Sequence, residues 1–184
     1  MKRIICIFLT LILATSVVAC GNKAPETPQE VVEEFYSRFT QCVTDMEYPE
    51  ADDILDMDSI QSYNLVSRVK ESILLQTLMF EAGEPIGTEY AKYKLEFKET
   101  KYIDENKVRI TVNVIDSGNK KPEATALHVY FGVNYFTLLK KDGKWKITTR
   151  EIEGVGIPTL EKYHMDKKVE FDPKAIEESW RQGR

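Results

Sequence analysis

A chain of 184 residues that is 42% hydrophobic and 30% charged has the apolar material for one core, which excludes a disordered or collagenous polypeptide. The formal net charge of -5 excludes nucleic acid as a partner, because phosphate binding needs a stripe of Lys and Arg that the sequence lacks.

Lys2 and Arg3 open the chain as a short basic region, and Ile4 to Leu13 follow as an apolar run. That run is shorter than the roughly 20 residues of a membrane-spanning helix, so it reads as the core of an export signal. Small residues close it at Val17-Val18-Ala19-Cys20-Gly21. A cysteine directly after Val-Val-Ala resembles the lipobox of bacterial lipoproteins. The resemblance implies removal of residues 1–19 and a diacylglyceryl group of palmitate type on the Cys20 thiol. It also implies an exported protein, lipid-anchored to the cell membrane, with its domain outside the cytoplasm. Two acyl chains suffice for stable anchoring, since each buried methylene contributes about 0.8 kcal/mol. Loss of Lys2 and Arg3 with the signal takes the formal net charge from -5 to -7. Residues 20–27 hold Pro25 and no apolar periodicity, which suits a lipid-anchored tether. Of the three cysteines, Cys6 leaves with the signal and Cys20 carries lipid. Cys42 is then alone, so the domain must rely on its core and not on a disulfide.

The first helix has a clear start. Thr27 is a good N-cap, Pro28 suits the first helical position, and Glu30 completes a Thr-x-x-Glu capping box. Val31, Val32, Phe35, Phe39, Val43 and Met46 then form one apolar stripe, fading near Tyr48-Pro49. Residues 50–58 carry Glu50, Asp52, Asp53, Asp56 and Asp58, expected as a solvated loop leading into a helix N-terminus. They lack the spacing of a calcium-binding EF-hand loop. A second helix is expected from about Ser59 to Ala82, stopped by Gly83 and Pro85.

The apolar period then changes to two. Ala91, Tyr93, Leu95 and Phe97 alternate with lysines and Glu96, and Val108, Ile110, Val112 and Val114 repeat the pattern after a turn at residues 104–106. The next strand is expected from about Ala124 to Lys140, with a bend or bulge at Gly132. On it Leu127, Val129, Phe131, Val133, Tyr135 and Leu139 share one face. His128, Tyr130, Asn134, Phe136 and Leu138 share the other. Asp142-Gly143 is a hairpin signal, after which Trp145, Ile147 and Thr149 begin the last strand. Residues 154–172 read as irregular, and Asp172-Pro173 caps a short helical tail in residues 173–184.

The order predicts an α+β fold spanning residues 28–172 as one domain, with N-terminal helices packed on a curved antiparallel sheet of four or more strands. The capped helix from Pro28 to Tyr36 and the closing hairpin from Phe136 to Ile147, with its tryptophan after the turn, resemble the nuclear-transport-factor-two-like superfamily. The resemblance implies a cone-like domain (the cystatin-like cone), often with a pocket between sheet and helices. It leaves the chemistry open, because this fold hosts unrelated functions.

No phosphate-binding glycine loop, nucleophile elbow, HExxH or CxxC motif is present, and the two histidines, His128 and His164, do not make a metal site with Cys42. No cofactor, metal or catalytic set is assigned. A candidate pocket is Tyr93, His128, Tyr130, Asn134 and Tyr135, against the plainer reading that strand aromatics such as Tyr90, Tyr93, Tyr130, Tyr135 and Trp145 pack the core. Cys42 reads as a small buried hydrophobe. Three readings follow. The leading one is a non-enzymatic domain tethered at the membrane surface that binds an envelope protein or a small ligand. The alternative is a pocket enzyme of isomerase or hydrolase type, with His128 as general acid or base and Glu34, Asp45 or Asp56 as its partner. The third is an envelope stress or assembly factor without a pocket.

Overall fold

The computed structural model describes residues 25–84, 92–118, 131–152 and 167–183. Helix α1 spans Pro28–Asp45 and α2 spans Ile60–Glu81. Strands β1 (Tyr93–Asp104), β2 (Lys107–Asp116), β3 (Gly132–Lys141) and β4 (Lys144–Ile152) form an antiparallel sheet in chain order. Helix α3 (Pro173–Gln182) closes the chain. The fold is α+β, with the N-terminal helices packed on the sheet and a short helix at the C-terminus, as the periodicity predicts.

The helix ends follow from local chemistry. At α1 the Thr27 side chain accepts from the Glu30 backbone, and the Glu30 carboxylate accepts from the Thr27 backbone N–H at 2.9 Å, so both halves of the capping box are present. At the end of α2, Gly83 takes the left-handed conformation (φ 77°). This lets its N–H reach the Phe80 carbonyl and lets the Glu84 N–H reach that of Met79, the paired bonds of a Schellman stop. Asp142 (φ 51°) and Gly143 (φ 77°) both lie in the left-handed region, as a tight hairpin matched to strand twist requires.

One face of the sheet carries Val108, Ile110, Val112, Val114, Phe136, Leu138, Trp145 and Ile147, all buried. Against it α1 buries Val31, Val32, Phe35, Tyr36, Phe39 and Val43. The strand β1 runs past the alternation read from residues 91–98: Lys98 is an extra residue at a register shift, and pairing with β2 resumes at Glu99, opposite Thr111. Gly132 stands at the start of the described part of β3 with φ 101°, and the residues expected before it, 124–130, lie outside the described set.

The acidic stretch corrects the expectation of a solvated loop. Glu50, Asp52, Asp53 and Asp58 are exposed, but Ala51, Ile54, Leu55 and Asp56 are buried. Leu55 forms a parallel bridge with Ile147. The Asp56 N–H donates to the Ile147 carbonyl and the Ile147 N–H donates to that of Ile54. The segment thus covers the free edge of β4, which would otherwise leave unpaired backbone groups there. Ion pairs hold it: Lys141 reaches Asp56 at 2.7 Å and Asp58 at 3.1 Å, while Arg38 from α1 binds both oxygens of Asp53.

That last pair gives a pH-dependent expectation. Burial alone would raise the Asp53 carboxyl, but the hydrogen bonds and charge of Arg38 outweigh it and hold the group below its ordinary value. A depressed carboxylate stabilises the fold above the ordinary aspartate range and ceases to do so as pH falls through its folded value. Asp53 is about half exposed, so Asp53→Asn should cost only about 0.5 kcal/mol at neutral pH in urea unfolding. The difference from the parent should close below about pH 3.9, the unperturbed aspartate value. A gap that persists at lower pH would show that the ion pair is not its source.

Candidate functional site

A bulge in β4 builds the most organised polar site on the core face. Ile147 stands opposite Leu138 and Thr149 opposite Thr137, so Thr148 is the extra residue between them. Before it, Trp145 and Ile147 point into the core. After it the phase is inverted, and Arg150, opposite Phe136, points inward where strict alternation would turn it out. The carbonyls around the bulge are satisfied from α2: Ser59 Oγ donates to the Thr148 carbonyl at 2.6 Å and Ser62 Oγ to that of Ile147 at 2.9 Å. Thr148 Oγ1 donates to the Thr137 carbonyl at 3.0 Å. Ser59 stands at the N-cap of α2 but makes no side-chain cap bond, since its hydroxyl serves the bulge.

Arg150 then reaches into the core. Its Nε and Nη2 donate to Asn134 Oδ1 at 3.1 and 2.8 Å, and Nη2 also donates to the Tyr36 hydroxyl at 3.1 Å. The guanidinium lies 5.4 Å from the Phe35 ring centre, 5.2 Å from that of Tyr36 and 5.6 Å from that of Phe136. Among the described residues, three ring faces and two hydrogen-bond acceptors thus compensate a charge taken partly out of water. Asn134 is 0% exposed, and its Nδ2 donates to the Gly132 carbonyl at 3.0 Å, which fixes its oxygen toward Arg150. Tyr93 packs on Tyr36 with ring centres 5.7 Å apart.

The electrostatics limit the chemistry. Burial pushes the Tyr36 phenol above its ordinary value, against the opposing pull of Arg150, and burial does the same to Tyr93. Both stay protonated at neutral pH, and an arginine does not exchange its proton there. Among the described residues the cluster therefore offers a fixed positive charge and hydrogen bonds.

Of the residues expected to line a pocket, Tyr93 and Asn134 both belong to this core-face cluster. Tyr135 falls on the opposite face of the sheet, where Arg109 lies 5.0 Å from its ring centre. His128, Tyr130 and Cys20 lie outside the described residues. Two carboxylates considered as partners for His128 are held elsewhere: Glu34 pairs with Arg38 at 2.8 Å, and Asp56 with Lys141. Burial raises the Cys42 thiol above its ordinary value, which suits a packing role and not a reactive one. Arg150 and Tyr36 were not expected from the sequence. One signal for the bulge exists: Ile147 and Ile152 are five residues apart, an odd spacing that period-two alternation cannot place on one face.

A second feature lies between α2 and the C-terminal arm. Asn64, buried in α2, grips the arm with both ends of its amide, donating to the Lys167 carbonyl at 3.1 Å and accepting from the Val169 N–H at 2.8 Å. Tyr48 packs edge-on against Phe171, with ring centres 5.3 Å apart. Asp172 caps α3 by accepting from the Ala175 N–H. Pinned at its base, α3 runs beside α2 and leaves a groove of about 580 Å³ with Leu75, Val169, Phe171, Ile176 and Trp180 on its walls.

None of the described helices is long and apolar enough to cross a membrane. No family model matches the chain, and no curated protein or solved structure is matched by it.

Proposed function

We propose that the chain is an exported lipoprotein, held on a membrane surface by a diacylglyceryl group on Cys20, whose domain acts by binding and not by catalysis. The observation that carries the reading is the run from Lys2 to Gly21, with an apolar stretch too short to span and a cysteine directly after Val17-Val18-Ala19. Binding in place of chemistry is supported by the core-face cluster, whose polar groups are a permanent cation, an amide and the Tyr36 phenol, hydrogen-bonded to one another. The helix, helix, four-strand order suits membership of the nuclear-transport-factor-two-like superfamily, which we include in the proposal.

The test is the chemical state of the N-terminus. Mass spectrometry of the chain from its native membrane should find it starting at Cys20, with two acyl chains attached. In cells given labelled palmitate, the parent should take up label. Cys20→Ala should take up none and should keep residues 1–19, because both cleavage and anchoring act through that thiol. A chain that starts at Met1 with an unmodified Cys20, or equal labelling of the two forms, overturns the reading.

A further inference from the structure

We propose that the groove between α2 and α3 docks a cationic amphipathic segment of a partner polypeptide; this deepens the binding reading above and rests on it. The groove has the composition of a docking site. Helix α3 turns Ile176 and Trp180, one helical turn apart, toward it, yet α3 contributes no buried residue. Leu75 on α2 is likewise only half-buried, and Val169 is 41% exposed. Among the described residues, two apolar surfaces therefore face each other across a gap and are not closed on it, although the arm that carries α3 is firmly pinned through Asn64. A space of about 580 Å³ falls in the range that receives a compact apolar group.

Charge selects the occupant. Among the described residues that line the groove, Glu71, Glu170 and Asp172 stand against one cation, Arg68, on a chain whose formal net charge is -5. An anionic lipid headgroup or an acidic peptide would meet carboxylates at the entrance. A segment with Leu-like side chains and flanking Lys or Arg satisfies both the apolar walls and the acidic rim. The rim charges are exposed, so they act in steering and selection, while the walls supply contact area.

The full chain in phosphatidylcholine vesicles tests this, with a short helical Lys/Leu peptide as the probe and a Glu/Leu peptide of the same pattern as its counterpart. Neither peptide contains tryptophan, so a change in Trp180 emission reports the groove, and Trp180→Phe should abolish the change. The Lys/Leu peptide should bind and the Glu/Leu peptide should not. Raising the ionic strength from about 0.01 to about 1 M should weaken binding, as the screening length falls from about 30 to about 3 Å. The double charge reversal Glu71→Lys with Glu170→Lys alters two exposed residues. It should weaken the Lys/Leu peptide about tenfold and admit the Glu/Leu peptide, with an unchanged circular dichroism spectrum. Equal binding of both peptides, indifference to the reversal, or a groove occupied by a second copy in sedimentation overturns the proposal. A chain that binds the cationic peptide but carries no lipid overturns the anchoring reading alone. A lipidated chain that ignores peptide charge overturns the docking proposal alone.

Discussion

Phe136→Ala is expected to cost the domain about 3–5 kcal/mol, read as a large drop in the urea midpoint with an unchanged slope. Phe136 is 0% exposed. Its ring meets Phe35 and Tyr36 edge-on, with centres 5.6 and 5.8 Å apart, and the Arg150 guanidinium lies 5.6 Å from its centre. Alanine would remove the transfer energy of the ring and leave a cavity between sheet and α1. It would also strip one aromatic face from a partly desolvated cation. The neighbouring residue supplies the control. Tyr135 is half-buried on the other face, where Arg109 lies 5.0 Å from its ring centre, and a contact of that kind is worth about 0.5–1 kcal/mol when exposed. Equal losses for the two substitutions would mean that the faces of β3 are assigned the wrong way round.

The contrast between these two residues shows where the sequence is readable. Alternation along β3 separates Asn134 and Phe136 from Tyr135, and the structure keeps that separation. A pocket set containing both Asn134 and Tyr135 therefore mixed two faces. The capping box at Thr27 and the Asp142-Gly143 turn are legible because each is a signal confined to a few adjacent residues. Ile54 and Leu55 are not, because their neighbours Asp52, Asp53, Asp56 and Asp58 mask them. What buries them is pairing with Ile147, more than ninety positions away in the chain. The grip of Asn64 on residues 167–169 is equally non-local, as a polar residue within an apolar helix gives no sign of the backbone it will bind. Arg150 was hidden for a different reason. Its position is decided by one inserted residue, and an insertion inverts every inference drawn by counting alternate positions beyond it.

Deleting Thr148 should leave the sheet paired, because it removes the one residue of β4 that has no partner on β3. Without it Thr149 follows Ile147 directly, and the pairs Ile147 with Leu138, Thr149 with Thr137 and Arg150 with Phe136 become one unbroken alternation. Trp145, Ile147 and Arg150 then all keep the core face, and Glu151 stays opposite Tyr135. What the deletion removes is the carbonyl that accepts from Ser59 and the hydroxyl that donates to the Thr137 carbonyl. Two such bonds are worth about 2 kcal/mol together, and the bond from Ser62 to the Ile147 carbonyl remains. Thr148→Ala retains the residue count and loses only the bond to the Thr137 carbonyl, so it should cost about 1 kcal/mol. Both variants should unfold cooperatively in urea and keep the near-ultraviolet dichroism of packed aromatic rings. Loss of the cooperative transition on deletion would show that the two halves of β4 cannot be joined without the extra residue, and that the bulge holds a bend the sheet requires.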